Sequence, residues 1–402
     1  WALAFLALWS DPAMAGGLAD KLTESARVSV LTASPGADLY AAFGHTAIRV
    51  FDPEVRLDYV FNYGTFVVDE GFYVRFVKGR MDYRLGVERF GRFQNLYLRQ
   101  GRALHEQVLN LGPEDVKAMA EYLEWNAQPE NATYAYDFFR DNCATKVITV
   151  LDEVFGDRYN AECVATDSTY LEALRPFTAG NPWSAWGMEL ILGAEAATAM
   201  PDCGHSFLPD VLAYQIDAMT LDGQPLAFER EVVFPHQGLW HAGLPEGDSG
   251  RQTPVYLMWG WAAWMALVFW MAHRGAGWKQ WVRRLSVAVT AAVSALMATL
   301  FGLMAVATDH NDTWWNADMV WALGGWGVIW VAVRRSRGVR PEAMGLERKV
   351  ATGWTMLALG SVSIAPVWRS GLGWGEATVW ASVGACLAVV FAVWTSLAPK
   401  VR

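Results

Sequence analysis

Apolar and polar residues alternate along Arg27–Thr32, Gly44–Phe51, Leu57–Tyr63, Met81–Glu88 and Ala103–Leu109. That two-residue period predicts strands with one face turned inward. Asp52-Pro53-Glu54 stands between the second and third runs and reads as a hairpin turn. Ala33–Asp38 is a turn-forming cluster, Glu70–Val77 reads as a short helix, and Phe90–Arg99 links the fourth and fifth runs. The period then lengthens. Over Pro113–Asn126, Val116, Met119, Ala120 and Leu123 share one helical face, and Pro113 suits a first turn. Asp141–Phe155 predicts another helix, with Val147, Ile148, Leu151 and Val154 inward. Asp222-Gly223, between Met219–Leu221 and Leu226–Phe234, predicts a second hairpin. The mixture defines an α+β fold, an antiparallel sheet beside helices.

Beyond a Gly/Pro-rich polar linker at 236–253 the pattern changes. Five apolar stretches follow: Val255–Ala272, Leu285–Thr308, Ala317–Val333, Val350–Trp368 and Ala377–Leu397. Each approaches the length that crosses a hydrocarbon core of roughly 30 Å. The connectors 273–284 and 334–349 carry clustered Arg and Lys, as does the tail, whereas 309–316 and 369–376 hold a single basic residue between them. By the positive-inside rule the basic connectors and the C-terminus face the cytoplasm. Residues 16–235 then form an exported domain, 236–253 a linker, and 254–402 a five-helix transmembrane domain.

Charge follows the same division. The first 253 residues carry 19 basic and 35 acidic side chains, the remaining 149 carry 13 and 6, and 16 of the 22 Trp lie in that second part. An acidic front domain offers no basic groove for nucleic acid. The apolar run Trp1–Trp9 leads to Ala13-Met14-Ala15, a small-x-small pattern, so 1–15 reads as a signal-peptide remnant. Of four cysteines, Cys386 falls in the last apolar stretch. Cys163 and Cys203 lie in the exported part, where a disulfide between them would persist. Cys143 is left as an unpaired exported thiol, a state kept for chemistry or by simple burial.

Cys143 follows Asp141-Asn142, a helix-capping pair, and so sits near the positive end of the helix dipole. Such a position lowers a thiol pKa and supplies N–H donors for an oxyanion. His45, at the entrance of a predicted strand, is a candidate base. In a hairpin turning at Asp52–Val55, position 45 falls opposite about 62. Asn62 could then accept from the imidazole and fix its tautomer, or serve only as a turn residue before Gly64. Asp58 is the other candidate orienter. The histidines lack metal-ligand spacing and no C-x-x-C occurs, so neither metal nor cofactor is expected.

Phe43-Gly44-His45, Asn62-Tyr63-Gly64, Asn126–Asn131 and Asp141-Asn142-Cys143 together resemble the Lnb-type family of bacterial lipoprotein N-acyltransferases. The resemblance covers about 27–160 well and the membrane part loosely. It implies a circularly permuted papain/NlpC-P60-like domain in which His precedes Cys, with Cys143 as nucleophile and His45 as base. It implies an inner-membrane protein with a periplasmic catalytic domain, a phospholipid acyl donor, membrane lipids as surroundings, and a diacylglyceryl or lyso lipoprotein as acceptor. The fatty acyl chain would pass through a Cys143 thioester to the α-amine of the lipoprotein's lipidated N-terminal Cys. A membrane-tethered cysteine peptidase or amidase, or a non-catalytic assembly protein with a structural Cys143, are the alternatives. In the loop 308–316, His310, Asn311 and Trp314 are candidates for binding a headgroup or peptide end, or simply an interfacial loop.

Overall fold

The computed structural model describes residues 17–36, 41–66, 78, 82–161, 168–178, 182–192, 196, 198–200, 204–234, 253–271, 277–307, 318–337, 345, 347–358 and 376–397. The chain divides into two compact units, Trp1–Asp167 with Met200–Leu244, and Ser168–Ala199 with Pro245–Arg402.

The first unit is built on strands β1 (Arg27–Ala33), β2 (His45–Asp52), β3 (Leu57–Phe66), β4 (Asp82–Arg89), β5 (Leu104–Leu109) and β6 (Thr133–Ala135). Further along come β7 (Tyr159–Asn160), β8 (Thr220–Leu221), β9 (Gln224–Pro225) and β10 (Ala227–Phe234). Seven of them form an antiparallel sheet in the order β10-β5-β1-β2-β3-β4-β6, and β7-β8-β9 form a small second sheet. Helices cover both faces of the large sheet, so β1 is buried along nearly its whole length. On one face Val30, Ile48, Val50, Phe61 and Leu85 pack with α2 (Pro113–Asn126) and α3 (Thr145–Phe155), through residues such as Met119, Leu123 and Leu151. On the other, Leu31, Ala47 and Val60 pack against Phe90, Phe93 and Tyr97 of α1 (Phe90–Arg99). Those three aromatics recur at helical spacing, which turns the expected link between strands into a helix.

Two boundaries differ from the sequence pattern. The helix expected from Asp141 begins at Thr145, because Asn142 folds back to cap it and holds Cys143 in the preceding turn. The Asp222-Gly223 turn does form, with Asp222 at φ 51° and Gly223 at φ 74°. Its second arm is only Gln224–Pro225, and the chain then leaves to place β10 beside β5 in the large sheet. The helix expected at Glu70–Val77 and the residues 1–15 lie outside the described residues.

The second unit contains α4 (Tyr170–Thr178) and α5 (Pro182–Ile191), which precede α6 (Pro209–Ile216) of the first unit in the chain. It continues with α7 (Thr253–Met271), α8 (Trp278–Ala307), α9 (Asp318–Ala322), α10 (Gly324–Ser336), the helical stretch 347–358, and α11 (Glu376–Leu397). Among the described residues, α7 and Trp278–Met304 of α8 are long and apolar enough to cross a membrane. The third expected span is interrupted at Leu323, between α9 and α10. Gly384 lets α11 lie close on α7, since a Cβ there would stand 2.9 Å from the Trp259 amide nitrogen. Trp indoles tie these helices together, Trp261 donating to Thr290 at 3.0 Å and Trp394 to Thr355 at 3.1 Å.

Candidate functional site

His45 opens β2, and Cys143 sits in the turn before α3. Almost a hundred residues separate them in sequence, yet the imidazole and the thiol are hydrogen-bonded. The other side of the ring meets Asn62, with Nε2 2.7 Å from Oδ1. With Nε2 committed to the amide, Nδ1 is the nitrogen left for the thiol. Asn62 is itself oriented: its Nδ2 donates to Glu88 Oε1 at 3.5 Å, and Glu88 Oε2 lies 3.7 Å from Arg92 Nε. Glu88 is 8 % exposed, on the same face of β4 as Asn62 on β3. The sequence pattern missed it. The signal available was an acidic residue directly following the apolar run Leu85–Val87.

The hairpin register differs by two from the simple expectation. Ile48 faces Phe61 and Asp52 faces Leu57, so the pairing continues to place His45 opposite Gly64 and Asn62 on the diagonal. Gly64 is at φ 100°, and a Cβ there would stand 3.4 Å from His45 Cε1 and 3.8 Å from Cys143 Cβ. A glycine is therefore what allows the strand to close over the pair. Asp58, the other candidate orienter, is held by Arg49 at 2.8 Å, and the same guanidinium reaches Glu106 at 2.8 Å across Phe90.

Burial pushes the Cys143 thiol up, but the His45 charge and hydrogen bond, with the backbone N–H groups of Thr46 and Cys143, bring it below the usual thiol range. Burial pulls His45 down, and the thiolate, its hydrogen bond and that of Asn62 outweigh this, so the imidazole ends above its ordinary value. The opposed shifts both favour the thiolate–imidazolium form of the pair. Of the N–H groups at the helix start, where oxyanion donors are expected, those of Ala144 and Thr145 are taken by Asn142 Oδ1 at 2.8 and 3.1 Å. The N–H groups of Cys143 and Thr46, both directed at the sulfur, are the donors in place.

Aromatic rings wall the site. His45 lies against Tyr97 and Phe93 of α1 at 6.4 and 6.5 Å between centroids. Near Cys143, Tyr83 stacks on Tyr136 at 4.2 Å, and Tyr134 packs edge-on against Tyr63 at 6.1 Å. The Cys143 thiolate acts on Tyr83, Tyr134 and Tyr136, whose phenols burial first raises. The Tyr134 hydroxyl is buried with no hydrogen-bond partner. Tyr63 donates to Asn126 Oδ1 at 2.5 Å, and Asn126 donates to the Asn131 carbonyl at 3.0 Å. The Asn126–Asn131 segment thus anchors the strand residue next to Gly64. Cys163 and Cys203 lie outside the described residues, as do His310, Asn311 and Trp314.

An antiparallel sheet covered by helices on both faces, with a half-buried thiol and imidazole and a buried amide hydrogen-bonded in series, defines a domain of the thiol–imidazole class. Residues 20–173 match the model of the Lnb N-terminal periplasmic domain. No curated protein and no solved structure matches the chain.

Proposed function

We propose that the protein is a membrane-bound lipoprotein N-acyltransferase in which Cys143 is the nucleophile, His45 the base and Asn62 the residue that orients the imidazole. The observation that carries this reading is the series Cys143–His45–Asn62, assembled from one hairpin and a turn distant in sequence within the stretch that matches the Lnb N-terminal periplasmic domain. The thiolate attacks the carbonyl carbon of an ester on a phospholipid or on the lipoprotein's own glyceride. N–H groups of Cys143 and Thr46 stabilise the oxyanion. His45 gives its proton to the leaving alcohol, and the acyl chain rests on Cys143 as a thioester. The α-amine of the lipoprotein's N-terminal lipidated Cys then takes the chain.

The His-before-Cys order supports a circularly permuted papain/NlpC-P60-like relationship. The apolar helices support a multi-pass topology in the inner membrane, with five spans, a periplasmic catalytic domain and a cytoplasmic C-terminus. Long-chain donors are then reached without leaving the bilayer.

Intact-mass measurement of the full-length protein in phospholipid vesicles tests the reading. An acyl adduct on Cys143, discharged by a diacylglyceryl-cysteinyl peptide with a free α-amine, is expected. An unmodified Cys143 together with undiminished N-acylation by Cys143→Ala would overturn it. Discharge to water alone would instead point to the peptidase or amidase reading.

A further inference from the structure

Acyl transfer to an amine poses a problem that ester attack does not. At neutral pH an α-amine is largely ammonium, whose nitrogen has no lone pair to attack with. A group near the thioester must hold that cation and remove a proton. His45 can accept one proton per transfer, but the nitrogen must shed two between ammonium and amide.

The segment Phe207–Asp210 runs past both members of the pair. Asn142, next to Cys143, donates from Nδ2 to the Phe207 carbonyl at 2.8 Å. Phe207 also packs edge-on against Phe138 and Phe139 at 5.9 and 5.3 Å. Two residues on, Pro209 lies against Gly44, where a Cβ would stand 3.4 Å from the proline Cβ. Gly44 immediately precedes His45. Asp210 follows, in the first turn of α6, only 9 % exposed, and its Oδ1 is buried with no hydrogen-bond partner. A buried carboxylate oxygen without a partner is costly, so the group has a use when something cationic arrives. Arg102 acts on both His45 and Asp210, so one guanidinium lies within electrostatic reach of each. That guanidinium is engaged by the Ser34 carbonyl at 2.6 Å, by Gln100 at 3.1 Å and by the Tyr97 ring. Burial pushes the Asp210 carboxyl up to about 7, with Arg102 only partly countering it, so it can both bind an ammonium and keep a proton taken from it.

We infer that Asp210 is the binding group for the acceptor's α-ammonium and takes its first proton. This rests on the acyltransferase reading above. In the step, Asp210 carboxylate removes one proton from R–NH3+. The freed lone pair forms the C–N bond at the thioester carbonyl carbon. The C–S bond breaks, its electron pair returning to Cys143 Sγ as thiolate. The second proton passes from nitrogen to neutral His45, restoring the ion pair and leaving Asp210 protonated.

The test measures binding separately from chemistry. Full-length Cys143→Ala protein in phosphatidylglycerol/phosphatidylethanolamine vesicles is titrated with a synthetic diacylglyceryl-cysteinyl peptide and with its N-acetylated form. The free amine is expected to bind about tenfold more tightly, and Asp210→Asn in the same background to abolish that preference. In the protein retaining Cys143, Asp210→Asn is expected to slow discharge of the acyl-enzyme to the peptide amine at least tenfold. Discharge to hydroxylamine, which is neutral at pH 7, and thermal stability should be unchanged. Equal binding of the two peptides by the parent overturns the inference, as does an undiminished preference in Asp210→Asn. Parallel loss of discharge to amine and to hydroxylamine would also overturn it. Failure to acylate Cys143 would sink the function proposed above while the amine preference still reports on Asp210, so the two can fail separately.

Discussion

Replacing Asn62 by Ala removes the side-chain hydrogen bond that, among the described residues, meets the far side of the His45 ring from the thiol. The bond is 2.7 Å long and strengthens when the imidazole is charged. Hydrogen bonds to charged groups are worth about 1.5–3 kcal/mol, equivalent to a fall of about one to two units in the His45 pKa. The imidazolium that stabilises the thiolate becomes correspondingly scarcer. The reactive thiolate fraction near neutrality should drop about 10- to 100-fold. The truncation also strips Glu88 Oε1 of its amide donor in a buried place. Asn62→Asp separates the effects, because it keeps an oxygen toward the ring while setting a second carboxyl against Glu88. The assay is the pH dependence of iodoacetamide alkylation at Cys143, followed by intact mass, with circular dichroism to confirm folding. A folded Asn62→Ala protein whose alkylation profile overlays that of the parent would refute the reasoning, since the amide would then contribute nothing to the ion pair.

Alkylation of the parent should persist below the pH at which an ordinary thiol loses reactivity, because the Cys143 pKa is lowered. It should decline on the acid side as the thiolate protonates, and the ion pair should be lost on the alkaline side as pH passes the raised His45 pKa. His45→Ala should shift the acid inflection upward, and an unmoved inflection would count against the pair. Gly64→Ala puts a methyl against both side chains at φ 100°, with strain of about 1–2 kcal/mol. Thioester formation should fall more than thermal stability, and wild-type acylation would contradict the packing. Arg49→Ala leaves Asp58 and Glu106 without their shared cation and should cost about 3–5 kcal/mol in urea unfolding, or the network is not structural. Tyr63→Phe loses the bond to Asn126 and should destabilise by about 1 kcal/mol, measured in the same way.

Much of the front unit is legible in the sequence, because its strands alternate cleanly and α2 carries a full apolar face. Its five first strands and α2 fall where periodicity puts them. Phe90–Arg99 is harder to read, since a helix that buries three aromatics among polar residues has no long apolar run. The helix α4 does announce itself, since Thr169-x-x-Glu172 is a capping box whose reciprocal bonds form, but Pro176 inside α4 obscures the helical reading that follows. For the site, residue types pointed to His45, Cys143 and Asn62, but their contact depends on a register that turn placement alone sets two residues away. Glu88 and Asp210 could not be found that way. Their significance lies in what is or is not beside them, and that is a property of the folded chain.

The route of the chain between the two units carries a consequence for biogenesis. Residues 168–199 group with the apolar helices, while 200–244 return to the sheet unit and deliver α6 and the edge strand β10. The family-matched stretch, which ends at 173, therefore stops short of Asp210 and leaves one side of β5 without its strand. During synthesis β5 must wait for more than a hundred residues before that edge is closed. An unpaired edge strand is a site for misassociation. Maturation of this protein should thus be limited by how quickly the interrupted unit is completed, and chaperones that shield an open sheet edge should engage it before residue 234 has emerged.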